Sequence, residues 1–176
     1  MTIETVRLRL IPFTPAQLLA LFESEERFEV VFELPAADGL RAFLVSDDVS
    51  PEWVARLRAS VEPDPWAHGF AVVHPDSHSV IGMVGFKGPP DKDGVVEIGY
   101  GIVPGFQGRG FATEAAEAVT AFGFGFGQVL IVRAHTLPTP NASTRVLSKC
   151  GFEHSTEIVD PDDGLVWRWE RRRDSA

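Results

Sequence analysis

The stretch GFQGRGFATEA, residues 105–115, sets three glycines and an arginine between an apolar run, EIGYGIV, and an alanine-rich segment, ATEAAEAVTAF. Fixing a glycine backbone loses more entropy than fixing any other residue, so glycines clustered at a strand-to-helix junction imply a task that side chains would obstruct. The first amides of a helix have no internal partner, and its dipole places about half a positive charge there. QGRG therefore reads as cleared space in which successive N–H groups face a phosphorylated ligand. The plain alternative is a turn whose glycines only relieve strain. A dinucleotide fingerprint needs G-x-G-x-x-G, and here Gly108 and Gly110 are followed by Thr113. The phosphate loop of NTPases needs G-x-x-x-x-G-K-[ST], and no Lys-Ser or Lys-Thr follows these glycines. Both nucleotide patterns fail.

At 176 residues the chain is long enough to bury a core without staples and reads as one domain, residues 1–176. No apolar run approaches the roughly 20 residues of a membrane span, and MTIETVRLRL lacks a signal-peptide core. Cys150, the single cysteine, excludes an internal disulfide and fits a reducing compartment, so the expected location is cytoplasmic. Sixteen basic against 25 acidic residues give a net charge of −9, which argues against a nucleic-acid partner and suits a cationic one. The one basic cluster, RWERRRD, reads as a solvated tail.

VRLRLIPF, residues 6–13, alternates like a half-buried strand. Thr14, Pro15 and Gln17 then form a capping-box helix start, and Ser50 with Pro51 forms another. LPAADGLRAFLVSDDV, between them, reads as loop with a short helix. GFAVVH, SVIGMVGF and GVVEIGYGIV, separated by turn formers, predict an antiparallel meander. A helix over residues 107–124 follows, with FGFGFG as its packed end. A strand (QVLIVRAHT), a short helix (NASTRVLSK) and two closing strands (FEHSTEIV, LVWRWER) complete a mixed α+β chain with a mainly antiparallel central sheet flanked by helices.

Gln107-x-x-Gly110-x-Ala112 matches the Q/R-x-x-G-x-G/A pattern. With EIGYGIVPGFQGRGFATEA before it, NASTRVLSKCGF after it and VRLRLIPFTPAQL at the start, the chain resembles the GNAT superfamily of acyl-CoA-dependent N-acetyltransferases. It is most similar to the branch that includes the ribosomal-protein acetyltransferases RimJ and RimL. The resemblance implies a GNAT-like fold with acetyl-CoA as co-substrate, its pyrophosphate on Gln107, Gly108, Arg109, Gly110, Phe111, Ala112 and Thr113. It also implies that the strand ending at Ile102 and Val103 splays from its neighbour and pairs with the pantetheine arm. A strongly anionic cofactor in an acidic chain requires local positive charge, for which Arg109, Arg145 and Lys149 are the candidates.

Acetyl transfer needs a neutral amine, so a general base in reach helps. Glu97, ionisable and mid-strand, is the candidate, acting through water as in some relatives; a cross-strand ion pair is the alternative. In NASTRVLSKCGF the resemblance assigns Asn141 to the pantetheine arm and a serine to the thioester. Matching on RVL gives Ser143, whereas counting from Asn141 gives Thr144, and helix capping by Asn141 accounts for the same residues. Tyr100 alternates away from Glu97, and Cys150 reads as a buried hydrophobe. His68, His74, His78, His135 and His154 show no ligand spacing, so no metal is expected. Phe28, Phe32, Trp53 and Trp66 are candidate acceptor walls that core packing explains better. The reading is an N-acetyltransferase acting on a primary amine, a protein N-terminus or a small molecule, as a possible homodimer without membrane contact. A non-catalytic acyl-CoA sensor is the rival.

Overall fold

The apolar alternation of residues 70–102 becomes the middle of a sheet in the computed structural model, which describes residues 1–45 and 49–175. Its strands are β1 (Ile3–Glu4), β2 (Arg9–Pro12), β3 (Phe70–His74), β4 (Ser79–Phe86), β5 (Val95–Ile102), β6 (Ile131–Thr136), β7 (Glu153–Asp160) and β8 (Gly164–Arg172). Among the described residues they form one sheet in the order β1-β2-β3-β4-β5-β6-β8-β7. β3, β4 and β5 are the expected antiparallel meander. Only β5 and β6 run parallel, since a helix carries the chain back between them. This is the α+β class, mainly antiparallel, that the sequence predicts.

The parallel pairing is short. It runs from Val95↔Ile131 to Glu97↔Arg133, while β5 stays on β4 as far as Ile102↔Gly82. β6 instead follows β8 to Thr136↔Trp167. Beyond Glu97 the two strands part. Backbone groups alternate along a strand: the Glu97 carbonyl accepts from Lys87 and the Val103 amide donates to Ile81, both on the β4 side. The main-chain groups of Tyr100 and Ile102 therefore face the gap.

Seven helices are described: α1 (Pro15–Glu23), α2 (Glu25–Phe32), α3 (Leu40–Leu44), α4 (Pro51–Ala59), α5 (Pro65–His68), α6 (Phe111–Phe124) and α7 (Ala142–Lys149). Thr14 and Gln17 close the predicted capping box on α1, and Ser50 caps α4 by accepting from the Trp53 amide. α6 buries Phe111, Ala115, Ala116 and Val119 in the same core as Val96 and Ile98 of β5.

Three expectations change, and one further element appears. The strand expected over residues 6–13 is confined to β2, because the chain turns at Val6 and Arg7 to form the β1–β2 hairpin. α6 begins at Phe111 rather than Gln107, since Gly108 (φ 74°) and Gly110 (φ 83°) take left-handed conformations that no α-helix accepts. The Pro-rich VEPDPW hides α5, a single turn that Asp64 caps through the Trp66 amide. RWERRRD is not a solvated tail, because long arginine side chains find partners on the body of the protein. Arg171 pairs with Glu117, and Arg173 donates to the carbonyls of Val129 and Phe126. Part of the loop expected before α4 lies at residues 46–48, outside the described residues. No described helix is long and apolar enough to cross a membrane.

Candidate functional site

The turn after β5 is built to expose its amides. Pro104–Phe106 makes one tight 3-10 turn, closed by the Gln107 amide donating to the Pro104 carbonyl (3.3 Å). Gln107 Nε2 donates back to the Ile102 carbonyl (2.9 Å), lashing the turn to the strand end. Gly110 stands at the N-cap of α6 with no side chain to cap it, and the Glu114 amide is the first to close onto the Gly110 carbonyl (3.1 Å). Among the described residues, the amides of residues 108–113 donate to no protein acceptor. Those of Phe111, Ala112 and Thr113 open α6, at the positive end of the helix dipole.

Arg7 reaches the same turn from the β1–β2 hairpin. Its amide and Nε donate to the two carboxylate oxygens of Glu114 (2.7 and 2.8 Å), and Nη1 donates to the Arg109 carbonyl (2.8 Å). Its guanidinium lies 4.5 Å from the Phe111 ring centre, with Nη2 beside Gly110, 3.2 Å from where a Cβ would sit. Sequence reasoning passed over Arg7, because nothing local connects it to Glu114. The predicted Arg109 stacks its guanidinium over Phe106 and Phe111, at 5.3 and 5.7 Å. Partial burial pushes the Glu114 carboxyl up, but hydrogen bonds from Thr5 and Arg7 outweigh it and hold the group below its ordinary value.

A cleft of about 510 Å³ leads from this turn along the gap in the sheet. Gln107, Gly108, Gly110, Phe111, Ala112 and Thr113 line one end, and Ile102, Tyr100 and Ser143 line its walls. Arg145 and Lys149 of α7 also border it. Val103 is buried beside the cleft with its amide given to Ile81. Asn141 is a cap: Oδ1 accepts from the Thr144 amide, and Thr144 Oγ1 accepts from the Asn141 amide, each at 2.9 Å. The Thr144 hydroxyl is therefore occupied, whereas the Ser143 hydroxyl has no protein partner among the described residues. The Tyr100 hydroxyl donates to the Ser143 carbonyl (3.3 Å), and burial pushes its pKa up to about 12, so it stays protonated at neutral pH.

Glu97 lies on the opposite face of β5 in a chain of charged groups. Its Oε1 accepts from Lys87 Nζ (2.7 Å) and from His135 Nδ1 (2.9 Å). Arg168 Nε donates to His135 Nε2 (3.1 Å); a guanidinium can only donate, so Nε2 is the acceptor and the imidazole proton sits on Nδ1. Burial pushes the Glu97 carboxyl up, yet the bonds from Lys87 and His135 prevail and hold it below the ordinary carboxylate value. Glu97 is thus ionised at neutral pH and already paired.

Glu97 and Glu114 carry a stability signature. A carboxyl whose folded pKa is depressed contributes stability above its unfolded value, near 4.5, and loses it as pH falls through the lowered folded value. Melting temperature should hold between pH 7 and about 5 and drop below pH 4.5. In Glu97→Gln and Glu114→Gln that acid slope should be shallower, as read by circular dichroism; unchanged slopes would refute the assignment.

Among the other candidates, Phe28 and Phe32 stack on each other in the core (5.1 Å), and Trp66 packs on Phe86 (4.5 Å). Cys150 is buried, and burial is the main cause pushing its thiol up to about 11. Among the described residues no group of three or more His, Cys, Asp or Glu side chains is placed to hold a metal.

Residues 7–153 match the family model described as acetyltransferase (GNAT) domain. The chain is 35% identical over 78 residues to the uncharacterized N-acetyltransferase YoaA of Bacillus subtilis (strain 168), covering 44% of each. It spans about half the length of the curated relatives it matches. Its fold resembles that of RimL, a ribosomal L7/L12 α-N-protein acetyltransferase solved with coenzyme A, at TM-score 0.68 and 15% identity over 98% of both chains. It also resembles the ribosomal-protein-S5-alanine acetyltransferase of Vibrio fischeri, at TM-score 0.69 and 18% identity over 99% of this chain and 97% of that one. A model covering most of the chain, a split sheet and a glycine turn with open amides agree: the chain belongs to the GNAT acetyltransferase family.

Proposed function

We propose that the chain is an acetyl-CoA-dependent N-acetyltransferase that moves an acetyl group directly to a primary amine. The carrying observation is the run of unpartnered amides over residues 108–113, which opens on the cleft between β5 and α7. An anion is the group that such amides lack, and the gap-facing backbone of Tyr100 suits an amide-bearing arm. Coenzyme A in the RimL structure supports this choice of ligand. Acetyl-CoA supplies an activated thioester. Gln107, Gly108, Arg109, Gly110, Phe111, Ala112 and Thr113 hold its diphosphate, while Ile102 lines the arm's path and Val103, its amide committed to Ile81, supports that strand end from within the core. Asn141 keeps α7 in position and has its side-chain NH2 left to donate. The Ser143 hydroxyl donates near the thioester. Glu97, on the acceptor face, orients and deprotonates the amine, through water, with the oxygen that Lys87 and His135 leave open.

The test is acetyl-CoA with a panel of amines and peptides, following thiol release and product mass. Acceptor-dependent release supports the enzyme; saturable acetyl-CoA binding without release on any acceptor refutes it. The two neighbouring hydroxyls should separate cleanly. Ser143→Ala should lower kcat about fivefold, the worth of one hydrogen bond of about 1 kcal/mol, with melting unchanged. Thr144→Val should instead lower the melting temperature, since it breaks a helix cap worth about 1 kcal/mol, and leave kcat near normal. The reverse pattern would exchange their roles.

A further inference from the structure

Arg7, Arg133 and Arg171 each give a guanidinium to a carboxylate, those of Glu114, Glu170 and Glu117. Arg168 of β8 does not. Among the described residues it makes no ion pair, and its Nε donates to a ring nitrogen, His135 Nε2, at 3.1 Å. The register brings the two together, since Arg168 stands opposite His135 in the β6–β8 ladder. Arg133, which faces Glu97 in the β5–β6 pair, is drawn away to Glu170. His135 takes its place at the carboxylate, with Nδ1 donating to Glu97 Oε1. The imidazole is almost covered, at 11% exposed, while the Glu97 side chain keeps 26% of its surface open to water.

An imidazole beside a carboxylate gains by taking a second proton, because the resulting cation pairs with the anion. Here Nδ1 is already a donor, so that proton would have to sit on Nε2. There it would point at the Arg168 N–H, and a guanidinium cannot turn to accept it. The other charges around the ring are committed. Lys87 is tied to Glu97 Oε1 and Arg133 to Glu170. On β7, the Asp160 carboxyl is held low chiefly by the amides of Asp162 and Asp163 and to a smaller degree by His135 and Lys87. Arg168 is thus the group that closes Nε2.

Building on the catalytic reading above, we infer that Arg168 is a positioning residue for the proton acceptor. By donating into Nε2 it keeps His135 a neutral donor, so that Glu97 retains the charge with which it takes the amine's proton onto Oε2. Without Arg168 the ring becomes an imidazolium facing Glu97, and one more cation at that distance cuts a carboxylate's proton affinity about tenfold or more.

Arg168→Met keeps the reach of the side chain and removes the donor. With the fastest acceptor of the panel above, its kcat relative to wild type should be about 0.1 at about pH 6 and return to within about twofold of unity by about pH 8.5. KM for acetyl-CoA should stay unchanged. Taking the ratio cancels the acceptor's own ionisation, and a ratio equally low at every pH is what lost packing produces, so it overturns the inference. Nitrogen NMR of labelled protein needs no turnover, the His135 signals being those lost in His135→Asn. At about pH 6.5 wild type should show Nδ1 protonated and Nε2 bare, and Arg168→Met should show both protonated. The same state in the two proteins overturns the inference. His135→Asn closes a cycle: its amide donates to Glu97 and gains no proton, so adding Arg168→Met should cost nothing further, and additive losses count against the proposal. Glu97→Gln with wild-type kcat, or no thiol release from any acceptor, sinks the catalytic reading and the kinetic role of Arg168 with it, whatever the spectra show.

Discussion

Gly110→Val should weaken acetyl-CoA binding about 100-fold. Gly110 holds φ at 83°, and a residue bearing a Cβ in that region is destabilised by about 1–2 kcal/mol, so the turn relaxes toward another conformation. The new side chain would also crowd Arg7 Nη2, 3.2 Å from the added Cβ. Either movement rotates the amides of residues 108–113 out of place. Each hydrogen bond to a charged group contributes about 1.5–3 kcal/mol, so losing one or two of them, near 3 kcal/mol, corresponds to about 100-fold. Gly105→Ala is the matched control. It lies in the same turn without positive φ and with nothing within 4 Å of an added Cβ, so its affinity should stay at the wild-type value. Calorimetric titration of both variants decides the matter, with circular dichroism to confirm folding. Wild-type affinity in a folded Gly110→Val protein would remove the amide cradle as the binding site.

The second large effect should come from Arg7→Ala, at about 30-fold in acetyl-CoA affinity. Three of its contacts fix the guanidinium: Glu114 holds Nε, the Arg109 carbonyl holds Nη1, and the Phe111 ring supports its plane. Nη2 is thereby aimed at the open side of Gly110. A cation held in advance loses little freedom when an anion arrives, and about 2 kcal/mol from one charge-assisted bond gives the stated factor. Screening supplies a second test, because removing a phosphate-facing charge should flatten the dependence of affinity on salt. Arg7→Lys separates charge from geometry. It should recover part of the salt dependence without the affinity, since an ammonium has no planar fork to rest on Phe111. Affinity equal to wild type in Arg7→Ala would confine Arg7 to tying the hairpin to α6.

What could be read in the chain beforehand was local. The Thr14–Gln17 box, the Ser50 and Asn141 caps and the meander each depend on residues within a few positions of one another. The glycine turn was legible for the same reason, although its helix was placed four residues early: composition near Gln107 reads as helical, and only the backbone sign at Gly108 and Gly110 excludes it. Arg7 was illegible because its partner is Glu114, far along the chain, and alternation in VRLRL offers no hint of it. The choice between Ser143 and Thr144 was undecidable by counting, since two alignments fit; in the fold the Thr144 hydroxyl is engaged in the α7 cap, while the Ser143 hydroxyl has no protein partner among the described residues. Glu97 was found as an ionisable group in a strand. Its ties to Lys87 and, through His135, to Arg168 come from three other segments, and the last of these had been taken for a tail.

The three-residue contact between β5 and β6 is also a mechanical seam. The four strands from β2 to β5 and the trio β6, β8 and β7 are each laced internally by longer ladders, whereas among the described residues their shared ladder is confined to Val95, Val96 and Glu97, with Gly94 just before it accepting from Leu130 and Ile131. Small rotations about that line widen or narrow the gap without breaking either half, so a guest wedged there would act as a splint and stiffen the whole protein.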